Sequence, residues 1–272
     1  MAAIRLLTLL AGGAAGAYYV RKKLESLEPA PPAGDDDKVL LYQLEYSPFC
    51  AKVRHILDYK GIPWQAVELT PMLHKRFSRR VSGQVKVPYI RHQGQVIADS
   101  SAIAFYLEER FPSPALLPAD LGLREQVLLL EDWLDESLQP ALGKLAYLSL
   151  YLNPQPVIDD PNFGTGVAWL DQHKDKLVPL LLGMSVRKNQ LSEADLPKLE
   201  ARLFDVLRRL EALLGDKEYL VGDQLTLADL TLAGHLSTAE MLSPFKPGAP
   251  YAWLLDWRQR RLKEIGSAAV PA

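Results

Sequence analysis

Every run in this chain that reads as a β-strand falls between Val39 and Ala98, and that confinement limits the folds open to it. The first run is VLLYQL. After it, PFCAKVRHILDYK places Val53, Ile56 and Leu57 on one helical face, until Gly61 and Pro63 stop the helix and WQAVEL supplies a second strand. A polar, basic stretch from His74 to Arg80 connects this βαβ opening to VPYIRH and QVIA, which the Gln93-Gly94 pair joins as a hairpin. A helix is expected from Ser100 to about Arg110, closed by Phe111-Pro112. Beyond Pro118 strand signals all but vanish, and Leu196, Leu199, Leu203, Leu207, Leu210 and Leu214 recur at three- and four-residue steps. The order predicts a small mixed sheet flanked by helices, followed by an all-helical domain. The boundaries fall at 1–24 for a hydrophobic N-terminal segment, 25–38 for a linker, 39–117 for the α/β domain and 118–272 for the helical one.

Charge and rare residues narrow the chemistry. A formal net charge of -2 over 272 residues gives no electrostatic footprint for nucleic acid. Cys50 is the single cysteine, so any disulfide chemistry needs a second molecule. The five histidines, His55, His74, His92, His173 and His235, show no pair at metal-ligand spacing, and no metal is expected.

The N-terminus differs from the rest. Leu6 to Val20 holds no charged residue and is followed at once by Arg21-Lys22-Lys23. Such a run lies near the lower limit of the roughly 20 residues that span a bilayer. An anchor with a cytoplasmic body is the first expectation, because the positive cluster follows the segment. The alternatives are a soluble helix on a cytoplasmic protein, and a leader whose cleavage leaves an organellar one. The linker combines prolines, a glycine and Asp35-Asp36-Asp37, a composition suited to extended chain.

Three places carry candidate chemistry. Ser47-Pro48 begins a helix well without any function, since serine is a favoured N-cap and proline a favoured first helical residue. The same N-cap also sits where backbone N–H groups and the helix dipole would stabilise a thiolate, and Ser47 could donate to the sulfur of a bound thiol. Val87-Pro88 opens the hairpin either as an edge strand or through a cis peptide that turns the Val87 backbone toward an extended ligand. Asp99-Ser100 starts the next helix on the side of the sheet expected for Ser47; it serves as a cap, or as a seat for a carboxylate with Asp99 beside an amino group.

Ser47-Pro48-Phe49-Cys50, Val87-Pro88 and Asp99-Ser100, in this order and ahead of a helical domain, resemble the glutathione transferase superfamily with its thioredoxin-like N-terminal domain. QLTLADLTLA agrees: Thr226 and Asp229 form a capping box, with Leu225 and Leu230 as its hydrophobic staple. The nearest motifs are those of the membrane-associated prostaglandin E synthase type 2 proteins, which have cysteine where this chain has Ser47, and of serine-type, tau-like transferases. The resemblance implies that Ser47 activates glutathione as co-substrate, that Val87 and Pro88 pair with its backbone, and that Asp99 and Ser100 hold its γ-glutamyl end. A small apolar electrophile as second substrate and a homodimer follow from the same likeness. A basic residue for the glycine carboxylate is loosely indicated among Lys75, Arg76, Arg79 and Lys86. Two rivals remain: a monothiol glutathione-dependent oxidoreductase or isomerase using Cys50, and a non-catalytic membrane-tethered scaffold with this fold.

Overall fold

The computed structural model describes residues 38–71, 74–160 and 171–266. The N-terminal segment 1–24 and all but the last residue of the linker therefore lie outside the described residues. Among the described residues, no helix is long and apolar enough to cross a membrane. Contacts group the chain into two compact units, one made of residues to Glu45 with Pro63–Ile103, the other of Tyr46–Ile62 with Ala104 onward.

The first unit is a four-stranded mixed sheet: β1 (Val39–Gln43), β2 (Trp64–Glu68), β3 (Tyr89–His92) and β4 (Gln95–Ala98), in the order β2-β1-β3-β4. β1 and β2 are parallel, which requires a crossover, whereas β3 runs antiparallel to both β1 and β4. Gln93 and Gly94 both take positive φ (49° and 75°), the conformation a two-residue hairpin turn needs for strands of normal twist. The register puts Tyr42, Val67, Tyr89 and Ala98 in one row on one face. Tyr42 and Tyr89 stack there with ring centroids 4.7 Å apart.

That row is covered by helix α2 (His74–Ser82), where the sequence predicts only a polar, basic connection. Phe77 joins the Tyr42, Val67, Leu69 and Tyr89 cluster, with Val81 packed against it. The helix was hard to see because its apolar line is so short: only Phe77 and Ser78 are buried, and the other face is basic. A second correction concerns β3. It is paired on both sides, so Val87-Pro88 does not open an edge strand; Pro88 sits just before the ladder, where its missing N–H leaves no gap.

The second unit is helical. Helix α1 (Pro48–Tyr59) belongs to it by contacts, and so does most of α3 (Ser100–Arg110). α4 (Leu121–Trp133) continues through a π-helical turn, Leu134–Leu138, into α5 (Gln139–Leu152). A short α6 (Gln155–Ile158), α7 (Lys174–Lys188), α8 (Leu196–Leu214), α9 (Leu227–His235) and α10 (Trp253–Ile265) follow. The leucine spacing that announced α8 buries Leu203, Leu207, Leu210 and Leu214 on one side. α9 is buried on every side, and α1 packs against it. Its start is fixed by the expected capping box, since Asp229 accepts from Thr226 N at 2.9 Å, from Thr226 Oγ1 at 2.8 Å and from Leu220 N at 2.8 Å. The segment after α3 is fastened by Lys60, whose Nζ donates to Glu108 Oε2 (2.7 Å), Phe111 O (2.6 Å) and Pro114 O (2.8 Å).

Candidate functional site

Ser47 is the N-cap of α1, with extended backbone (φ -79°, ψ 122°) and Pro48 directly after it. Its carbonyl accepts the first ladder bond from Ala51 N at 2.9 Å, and its Oγ accepts from Cys50 N at 3.4 Å. Accepting that long bond uses a lone pair and leaves the hydroxyl proton to donate elsewhere. Pro48 has no N–H, so Phe49 N–H is the remaining early donor without an acceptor inside the helix. No acidic residue lies in the first turn to neutralise the dipole. The arrangement favours an anion that can also accept from the serine.

Cys50 occupies the third helical position, and its side chain is fully buried. A buried cysteine in packed surroundings is poorly placed to attack a disulfide.

In the sheet unit, Val87–Pro88 is a cis peptide immediately before β3. Tyr89 pairs with Ala98, so Pro88 and Asp99 follow outward from the same rung of the hairpin. Val87-Pro88 and Asp99-Ser100, twelve positions apart in the sequence, are thus brought to the same end of the hairpin by its register. β1 ends at that same end of the sheet, since Tyr42 pairs with Tyr89. Asp99 holds positive φ (86°), uncommon for a residue with a side chain and found where the surroundings enforce it. Its Oδ1 accepts from Ser101 N (3.0 Å) and Ala102 N (3.2 Å), which makes Asp99 the cap of α3. Asp99 is exposed while Ser100 is buried.

Sequence reasoning missed the buried charge cluster behind Ser47. Lys52, one turn into α1, is wholly buried and pairs with Glu131 of α4 and, at 2.9 Å, with Asp135 Oδ2 of the π-helical turn. The other oxygen, Asp135 Oδ1, lies 2.7 Å from His235 Nε2 at the end of α9. Burial pushes the Asp135 carboxyl up, yet the hydrogen bond from His235 and the Lys52 charge outweigh it and hold the group below its ordinary value. Burial drives the His235 imidazole down further than Asp135 raises it. The consistent state is a carboxylate accepting from the N–H of a neutral histidine. The Phe49 ring meets that imidazole edge-on, with centroids 5.1 Å apart. The only trace in the sequence was a lysine beside the apolar face of a helix, which resembles an ordinary flanking residue.

A small mixed sheet with a cis-proline strand, followed by a helical body with a capped central helix, defines the two-domain thioredoxin-like transferase class. A family model described as the glutathione S-transferase N-terminal domain matches residues 41–115, and one described as the C-terminal domain matches residues 173–263. The chain belongs to the glutathione S-transferase superfamily. Prostaglandin E synthase 2 of Danio rerio is 22% identical, over 93% of this chain and 80% of that protein. Among solved structures, beta-etherase LigF from Sphingobium sp. strain SYK-6 matches with TM-score 0.62 at 21% identity, covering 84% of this chain and 98% of that one. Human glutathione transferase theta-2, in complex with glutathione and an unknown ligand, matches with TM-score 0.61 at 22% identity, covering 84% of this chain and 83% of that one. At these identities the structural likeness establishes the fold.

Proposed function

We propose that the protein binds glutathione and transfers it to a small apolar electrophile, with Ser47 holding the sulfur as a thiolate. The observation that carries this reading is the Ser47 cap, which has a hydroxyl proton to donate, a first turn with a spare N–H, and an unneutralised dipole. Each of these favours the charged form of a bound thiol over the neutral one and so lowers its pKa. The thiol proton leaves to solvent, and the sulfur attacks the electrophilic carbon to form a C–S bond while a leaving group departs with the electron pair of the bond that breaks; the thioether and the protonated leaving group are the products. Ser47 donates throughout and forms no covalent bond. The Val87 backbone, ahead of Pro88, would pair with the extended tripeptide, and Asp99 with Ser100 would hold its γ-glutamyl end. Membership of the superfamily and the glutathione-bound theta-2 relative support the choice of thiol.

Titration calorimetry with glutathione tests the reading. The parent should bind, and Asp99→Ala with Ser100→Ala should bind at least roughly tenfold more weakly, because the charged end of the ligand loses its partners. Equal affinity in both proteins would remove the basis for placing glutathione here.

A further inference from the structure

From Leu69 to Ala98 there is no Asp or Glu, while Lys75, Arg76, Arg79, Arg80, Lys86 and Arg91 all fall in that span of a chain whose net charge is -2. The fold gathers Lys75, Arg76, Arg79, Arg80 and Arg91 on one side of the sheet unit. α2 turns Phe77 inward and leaves Lys75, Arg76, Arg79 and Arg80 exposed, and Lys86 is exposed in the loop that follows. Arg91 lies two residues beyond Tyr89 and so shares the sheet face that α2 covers. The register sets Leu40, Gln65, Arg91 and Val96 in the outer row of that face, and Tyr42, Val67, Tyr89 and Ala98 in the inner one. No carboxylate occupies any of these sheet positions or any position of α2. Val96 is 40% exposed beside Arg91, an apolar contact among the cations.

A face that served only to keep the protein in solution would intersperse both signs, whereas cations gathered on one face set up a positive field that attracts an anionic surface. We propose that the α2 face docks on a bilayer surface carrying anionic lipid headgroups. The choice of a bilayer rests on the reading of residues 6–20 as a lipid-seeking segment. That uncharged run ends in Arg21-Lys22-Lys23, and the chain from there to Lys38 tethers the sheet unit near any membrane that the segment enters.

The test is sedimentation of the full chain with neutral phosphatidylcholine vesicles and with vesicles containing phosphatidylserine, at low and physiological salt. The parent should prefer the anionic vesicles, and salt should weaken that preference. K75E/R79E/K86E should lose it by at least roughly tenfold, with K75Q/R79Q/K86Q between the two. Urea midpoints of both variants should match the parent, since all three side chains are exposed. Binding to neutral vesicles reports the N-terminal segment alone, so failure of that reading is seen separately from failure of the basic face. A preference unchanged in the charge-reversed variant, or no preference in the parent, overturns the proposal. Tighter binding to a short DNA duplex than to anionic vesicles, lost in the same variant, would overturn it in favour of a nucleic-acid surface.

Discussion

Gly234 of α9 approaches the backbone of Lys52 so closely that a Cβ built on the glycine would stand 2.7 Å from the Lys52 nitrogen. A side chain of any size would therefore push α1, with Ser47 at its start, away from α9. Gly234→Ala should lower stability by more than about 1 kcal/mol, although alanine is the better helix former by roughly that amount. Thermal unfolding of the variant checks it. A melting temperature at or above that of the parent would show that the two helices have room to spare.

Lys52 itself sits in that contact as the cation of a buried cluster. Lys52→Met should cost about 3–5 kcal/mol, because Glu131 and Asp135 are left facing each other without their common partner. Urea unfolding measures the loss. A change below about 1 kcal/mol would mean that the cluster is hydrated rather than dry.

Acid should weaken the fold through two histidines buried in the neutral form. Burial, with Arg258 and Arg54 near it, lowers the His55 pKa from 6.5 to about 3, and burial also lowers that of His235. Below 6.5 the unfolded chain takes up protons that the folded one refuses, so stability falls with pH, by about 1.4 kcal/mol per pH unit for each group, and for His55 the fall continues to about 3. Above that window neither histidine changes stability. Urea midpoints across a pH series should show this slope, and His55→Gln should reduce it; a midpoint that stays flat on acidification would contradict the assignment.

Ser47 and Cys50 should separate cleanly in activity. Ser47→Ala should raise the apparent pKa of bound glutathione and slow conjugation of a model electrophile, tenfold for each ~1.4 kcal/mol of thiolate stabilisation lost. Cys50→Ala should change turnover little, since that side chain is fully buried. If the cysteine variant is the inactive one and the serine variant retains its rate, a monothiol exchange mechanism takes the place of the one proposed.

Much of this architecture was legible in the chain because it is decided locally. Strand runs, the Gln93-Gly94 turn, the Ser47-Pro48 start and the Thr226–Asp229 box each depend on residues within a few positions of one another, where backbone propensity and one or two hydrogen bonds settle the outcome. α2 escaped because a helix carried by little more than Phe77 has too short an apolar line to show a period, and its stability comes from Tyr42 and Tyr89 across the sheet. The pairing of β3 on both sides and the Lys52–Asp135–His235 cluster were decided only by the tertiary structure. Partners separated by 83 and 100 positions leave no local signal, because a lysine or a histidine is energetically ordinary in the chain and becomes decisive only when packing removes the water around it.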